Sequence, residues 1–228
     1  MKKRPFTRND KKAKIRKAII QAAADLFERQ GFENTSVDDI AAEAEVSRST
    51  FYRNFPTKEQ VTFPTHDDYV AHFRELLAEN HNADSALLTM RGAFLAMAER
   101  YMATRDEHLR YMRIITVSPA LVARSVALDI EWEETIASAW RKKLGRVPGA
   151  DWQAGMAAGA IMGVVNFAMS QWYRGECRQH LPDFIDPAFE LLSNGLGGAE
   201  KQSPQDTHAV ASEWKSARPR RKERGNER

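Results

Sequence analysis

Residues 46–60 of this 228-residue chain read VSRSTFYRNFPTKEQ, with hydroxyls at Ser47, Ser49 and Thr50, cations at Arg48, Arg53 and Lys58, a phenol at Tyr52 and an amide at Asn54, all set around Phe51 and Phe55. The mixture suits recognition of a polyanion whose inner edges carry donors and acceptors. An arginine such as Arg48 bonds guanine through two parallel donors, an asparagine such as Asn54 does the same to adenine, and Thr50 offers a methyl to thymine or a hydroxyl to an acceptor. Ser36, Ser47, Ser49, Tyr52 and Arg53 are suited to phosphate oxygens, as is Lys58 where a following helix start leaves amides free for anions. Phe51 and Phe55, four residues apart, turn the other way and anchor the segment.

Other chemistry has little to work with. There is no G-x-S-x-G, H-E-x-x-H, P-loop or G-x-G-x-x-G pattern. The histidines at 66, 72, 81, 108, 180 and 208 lack metal-ligand spacing. Acid pairs such as Asp67 with Asp68 and Glu133 with Glu134 read as solvated faces. Neither catalysis nor a cofactor nor a metal is expected. One cysteine, Cys177, excludes a disulfide framework and a thiolate zinc site, and fits a cytoplasmic protein. The basic start MKKRPFTRNDKKAK lacks the apolar stretch of a secretion signal, and the longest apolar run, 154–169, is short and interrupted by glycines and Asn166.

The charge is uneven. Residues 1–60 carry 13 basic and 9 acidic groups, residues 61–198 carry 13 and 17, and residues 199–228 carry 8 and 5. Positive charge therefore sits at the two ends, as expected of a surface facing phosphates.

The elements that must position these residues are helical. Apolar residues recur with a 3.6 period from Ile15 to Phe27, and Gly31 then stops the helix. Ser36 with Asp39 has the form of a capping box opening a short helix over about 37–44, and Ser47 caps another that ends near Phe55, because Pro56 disfavours helix before it. Thr57 with Gln60 reads as a further box starting a fourth helix, which Pro64 must kink or restart. Further helices are expected at about 66–80, 85–104, 106–116, 119–145, 151–175 and 185–196. The fold class is all-α: a basic arm at 1–12, a three-helix head at 13–60, a helical domain at 61–198, and a disordered basic tail at 199–228.

At this point a family resemblance emerges. LFERQGFENTS followed by SVDDIAAEAEVSRSTFYRNFPTKEQV resembles the DNA-binding segment of TetR-family transcriptional regulators over roughly residues 13–61. The resemblance implies that Arg48, Thr50, Tyr52 and Asn54 lie at or near an operator, with Lys58 on a phosphate. It implies a homodimer formed through the last two helices, reading a palindromic duplex, and a small-molecule effector whose binding moves the fourth helix. Two positions depart from the pattern: Glu45 stands where glycine is usual, and Asn54 where tyrosine or histidine is usual.

For the effector, Phe94, Met97, Tyr101, Met112, Trp132, Met162, Asn166, Phe167 and Ser170 combine large or adaptable apolar groups with few polar atoms, the composition of a pocket for a small, mostly apolar molecule. Pro64 is the expected hinge between sensor and head. The expected function is a repressor released by ligand; the other reading is a DNA-binding regulator controlled by a protein partner or by abundance.

Overall fold

The apolar spacing from Ile15 to Phe27 winds the start of the chain into α1, Arg8–Gln30, and Gly31 closes it at φ 83° with its amide on the Phe27 carbonyl. The computed structural model describes residues 8–79 and 85–195. The expected arm is thus already helical from Arg8, while its first seven residues and the expected tail lie outside the described residues.

Ser36 caps α2, Val37–Glu43, through the anticipated box: its hydroxyl accepts from the Asp39 amide at 3.1 Å and its own amide donates to the Asp39 carboxylate at 2.8 Å. Ser47 caps α3, Arg48–Asn54, by accepting from the Thr50 amide. Between them Glu45 adopts φ 53°, the left-handed conformation that costs a residue with a Cβ roughly 1 kcal/mol. Thr57 and Gln60 also exchange the expected bonds, at 3.2 and 3.4 Å, but these open only a single 3-10 turn, Glu59–Thr62. Helix resumes as α4, His66–Glu79. Of the two outcomes expected at Pro64, a kink or a restart, the chain takes the restart, since proline brings no amide and crowds the preceding turn.

The remaining helices fall near their expected bounds: α5 Ala86–Ala103, α6 Arg105–Ile115, α7 Pro119–Leu144, α8 Ala150–Arg174 and α9 Pro182–Asn194. The last starts three residues early because Pro182 suits the first turn of a helix.

Two apolar cores result. One gathers Ile19, Leu26, Phe27, Ile40, Phe51 and Phe55 from α1–α3 and their exit, and runs on into Ile114 and Ile115 of α6 and Leu121 of α7. Arg110 of α6 reinforces this junction, gripping Glu28 with two 2.9 Å bonds and also meeting Asp25. The other joins Phe73, Met90, Ile136, Ile161, Trp172 and Phe189 from α4, α5, α7, α8 and α9. Trp172 is fully buried and donates its indole N–H to the Gln179 carbonyl at 2.8 Å.

Within the protomer, α8 leaves Trp152, Met156 and Phe167 exposed along one stripe, and α7, packed along it, exposes Val122, Val126 and Ile130. The outer residues of α9, Asp183, Pro187, Glu190 and Asn194, include no large apolar group, because Ile185 and Phe189 bury its apolar side against the same protomer. Among the described residues, the exposed large apolar side chains thus run along α8, one of the last two helices, and continue onto α7. No helix among the described residues is long and apolar enough to cross a membrane.

Candidate nucleic-acid interface and sensor cavity

The first two turns of α3 gather a polar, exposed edge. Ser47 Oγ lies 2.9 Å from both Ser49 Oγ and Thr50 Oγ1, and Arg53 donates to Thr50 Oγ1 at 3.2 Å. Arg48 is held by Asp38 of α2 at 2.8 Å with its guanidinium 5.7 Å from the Tyr52 ring. Both partners of that ion pair are solvent-exposed, so it orients Arg48 with little energy and is readily exchanged. Tyr52, 42% exposed, stands edge-on to the fully buried Phe51, so the anchor fixes the displayed phenol. Ser36, also exposed, sits at the start of α2 with its hydroxyl engaged in the capping box.

Two residues are placed differently from expectation. Lys58 does not project from a helix start: its ammonium donates to the carbonyls of Phe32 and Thr35 at 2.8 and 2.9 Å and lies 4.0 Å from the Phe32 ring centre. It pins the α1–α2 loop, whose carbonyls no helix satisfies. Asn54 turns its amide onto its own helix, donating to the Thr50 carbonyl at 2.8 Å, while its Oδ1 is buried without a partner. Near a helix end an asparagine is drawn to backbone carbonyls in this way, and reading adenine would require its release.

Arg16 of α1 was not singled out in the sequence, yet it joins three features. It donates to the backbone carbonyls of Asn54 at 3.2 Å and Pro64 at 2.9 Å, with its guanidinium carbon 4.2 Å from the Phe55 ring centre. The end of α3 and the proline break thereby share one cation.

Directly behind that break lies a cavity of about 450 Å³. Phe94, Met97, Tyr101, Met112, Trp132, Met162, Asn166 and Ser170 line it as expected, together with Phe63, Pro64 and His66 from the segment leaving the head. Phe167 does not line it: it is 60% exposed on the outer stripe of α8. The reason is rotational, since one residue along a helix turns a side chain by about 100°, and Asn166 and Ser170 occupy the inward position. His66 was not expected to group with carboxylates, but its ligand atom and those of Asp67 and Glu131 lie within 4.8 Å of one another. A 3.0 Å bond from its Nε2 to Glu131 ties α4 to α7 and accounts for that grouping.

Comparison with known proteins decides the family. Residues 19–62 match the family model described as bacterial regulatory proteins, tetR family, and residues 84–197, half of the chain, match that of the MftR C-terminal domain. The chain belongs to the TetR family. It is similar to the mycofactocin biosynthesis transcriptional regulator MftR of Mycobacterium tuberculosis, 29% identical over 78% of this chain and 89% of that one. It is also similar to the HTH-type transcriptional regulator TcmR of Streptomyces glaucescens, 27% identical over 74% and 77%. In fold it resembles Thermus thermophilus FadR, a repressor crystallised with lauroyl-CoA, with a TM-score of 0.55 at 23% identity over 79% of this chain and 94% of that one. These relatives are named as transcriptional regulators rather than enzymes, and membership of the TetR family makes this chain a DNA-binding transcriptional regulator.

This TetR-family cavity also holds a polar network that was not legible in the sequence. His108 stacks on Tyr101 at 4.1 Å and shares a 3.1 Å hydrogen bond with the Tyr69 hydroxyl. Burial pushes His108 down from 6.5 to about 4. The unfolded chain therefore takes up this proton more readily than the folded one, so the associated stability is complete above about 6.5 and is lost as pH falls toward about 4. Between pH 7.5 and pH 5, His108 is expected to account for a loss of about 1–2 kcal/mol. Urea denaturation at the two pH values checks this, and His108→Asn should shrink the difference.

Proposed function

We propose that this chain is a dimeric cytoplasmic repressor that reads a palindromic operator through α3 and releases it when a small, mostly apolar ligand fills the cavity. The observation that carries this reading is the shared wall: Phe63, Pro64 and His66, which link the head to α4, face the same cavity as Phe94, Met97 and Trp132 of the helical domain. A ligand that presses on this wall acts on the Pro64 carbonyl, and through Arg16 on the carbonyl of Asn54 at the end of α3. Pro64 is the hinge in this scheme.

Ser36, Ser47, Arg48, Ser49, Thr50, Tyr52 and Arg53 are the proposed contacts, Arg48 and Thr50 reading bases and the rest holding phosphates. Asn54 joins them on release from its own helix, and Lys58 supports them from behind. Homodimerisation is supported by the exposed stripe on α8, where Gly155, Gly159 and Gly163 have nothing within 4 Å of an added Cβ. No contact inside the protomer calls for these glycines, although each costs a helix about 1 kcal/mol relative to alanine. They would let a second copy approach closely, with α7 flanking. Two heads related by a two-fold axis would then read inverted half-sites.

The hinge is tested with Pro64→Ala, which permits a continuous helix from the 3-10 turn into α4. Fluorescence anisotropy on a selected operator duplex should show altered affinity and a weaker response to any ligand that releases the unmodified protein. Unchanged values for both would remove the hinge from the account. Failure of every apolar ligand to raise the melting temperature or release DNA would favour control by a protein partner or by abundance.

A further inference from the structure

The cavity wall carries one carboxylate, and it is poorly matched to its surroundings. Asp129 sits on α7, one turn before Trp132, among the rings of His66, Tyr69, Phe94, Tyr101, His108 and Trp132. Its Oδ2 accepts one bond from Asn166 Nδ2 at 3.1 Å, and among the described residues Oδ1 accepts none. No lysine or arginine lines the cavity, and none among the described residues lies within 4.0 Å of this carboxylate. His66 is near enough to favour its charge, but the His66 ring nitrogen is already bonded to Glu131 at 3.0 Å. Arg100, whose guanidinium stands 5.0 Å from the Tyr69 ring centre, is not part of the lining.

Burial, with Glu133 nearby, pushes the Asp129 carboxyl up, the sign of an anion short of compensation. A neutral ligand closing over Asp129 would remove its remaining water and offer nothing in return, and an anionic ligand would be repelled. A ligand cation would supply the missing counter-charge and would also meet aromatic faces, which attract positive charge. At about 450 Å³ the cavity is of the size that takes a small, drug-sized molecule.

The geometry points to a cavity selective for aromatic ligands that carry a positively charged nitrogen, with Asp129 as the counter-charge and Asn166 holding that carboxylate in place. This inference rests on the reading of the cavity as the effector site, and narrows it to a ligand class.

The test uses the full-length protein and three probes of similar size: 1-naphthylmethylamine (cationic), 1-naphthalenemethanol (neutral) and 1-naphthoate (anionic). Calorimetric titration should show the amine binding at least about 10-fold more tightly than the alcohol, and the naphthoate most weakly. In Asp129→Asn the amine should lose about 10-fold in affinity, while the alcohol changes by no more than about 3-fold. The asparagine keeps the shape and an acceptor for Asn166, and a matching melting temperature verifies that the variant folds. An amine preference that survives in Asp129→Asn, or a naphthoate that binds best, overturns the assignment of charge selectivity while leaving an effector site in place. If none of the three produces heat or thermal stabilisation in the unmodified protein, the effector-site reading falls and this inference falls with it.

Discussion

Phe51→Ala should abolish specific DNA binding without touching any residue that faces DNA. Phe51 is fully buried, its ring centre 6.1 Å from that of Phe55 and 5.5 Å from that of Tyr52, in the core that holds α3 against Ile19, Leu26 and Phe27 of α1 and Ile40 of α2. Removing the ring deletes its transfer free energy and leaves a cavity that a seven-residue helix between two turns cannot collapse to fill. The expected cost is about 3–5 kcal/mol. Total stabilities are about 5–15 kcal/mol, so the loss is enough to unfold or loosen the head. Phe51→Leu keeps most of the volume and should cost about 1 kcal/mol, with binding retained. Urea denaturation and anisotropy on the two variants give the comparison. An alanine variant that binds normally would mean that α3 is held by something other than this core.

The second large effect concerns Lys58. If its ammonium is a staple for the α1–α2 loop, Lys58→Met takes the donor from the Thr35 carbonyl, leaves the Phe32 carbonyl with only the Thr35 amide, and should cost about 1–2 kcal/mol. The variant would then lose affinity through instability, and the dependence of binding on salt would stay the same. A lysine serving as a phosphate contact makes the opposite prediction: stability unchanged, with the salt slope reduced by about 1. The 2.8 and 2.9 Å bonds to the two carbonyls favour the first outcome. Denaturation together with binding isotherms at several salt concentrations separates the two.

Much of the fold was legible because its signals are local. Capping residues are neighbours of the amides they satisfy, so Ser36, Ser47 and the Thr57–Gln60 pair could be read directly. Apolar periodicity likewise set the helices to within a few residues. Eight of the nine expected cavity residues line the wall for the same reason, since large side chains at helical spacing converge on one side.

What could not be read depends on distant partners. The role of Lys58 is set by loop carbonyls 26 and 23 residues away, and Arg16 reaches across 38 and 48 residues to carbonyls that carry no residue identity. Asp129 resembles any other acid on an amphipathic helix until α8 and α4 enclose it. The extent to which a helix is covered is also non-local: the composition of α9 gave no sign that α5 and α8 would take up its apolar side, leaving the open stripes to α7 and α8.

Whether two copies of α3 read a defined inverted sequence is decided by selecting bound fragments from random duplex DNA with the full-length protein. One inverted repeat with half-sites a whole number of helical turns apart should be enriched, with a base preference within each half that relaxes when Arg48 or Thr50 is replaced by alanine. Enrichment of no sequence, or of a single unrepeated element indifferent to both substitutions, would contradict this expectation.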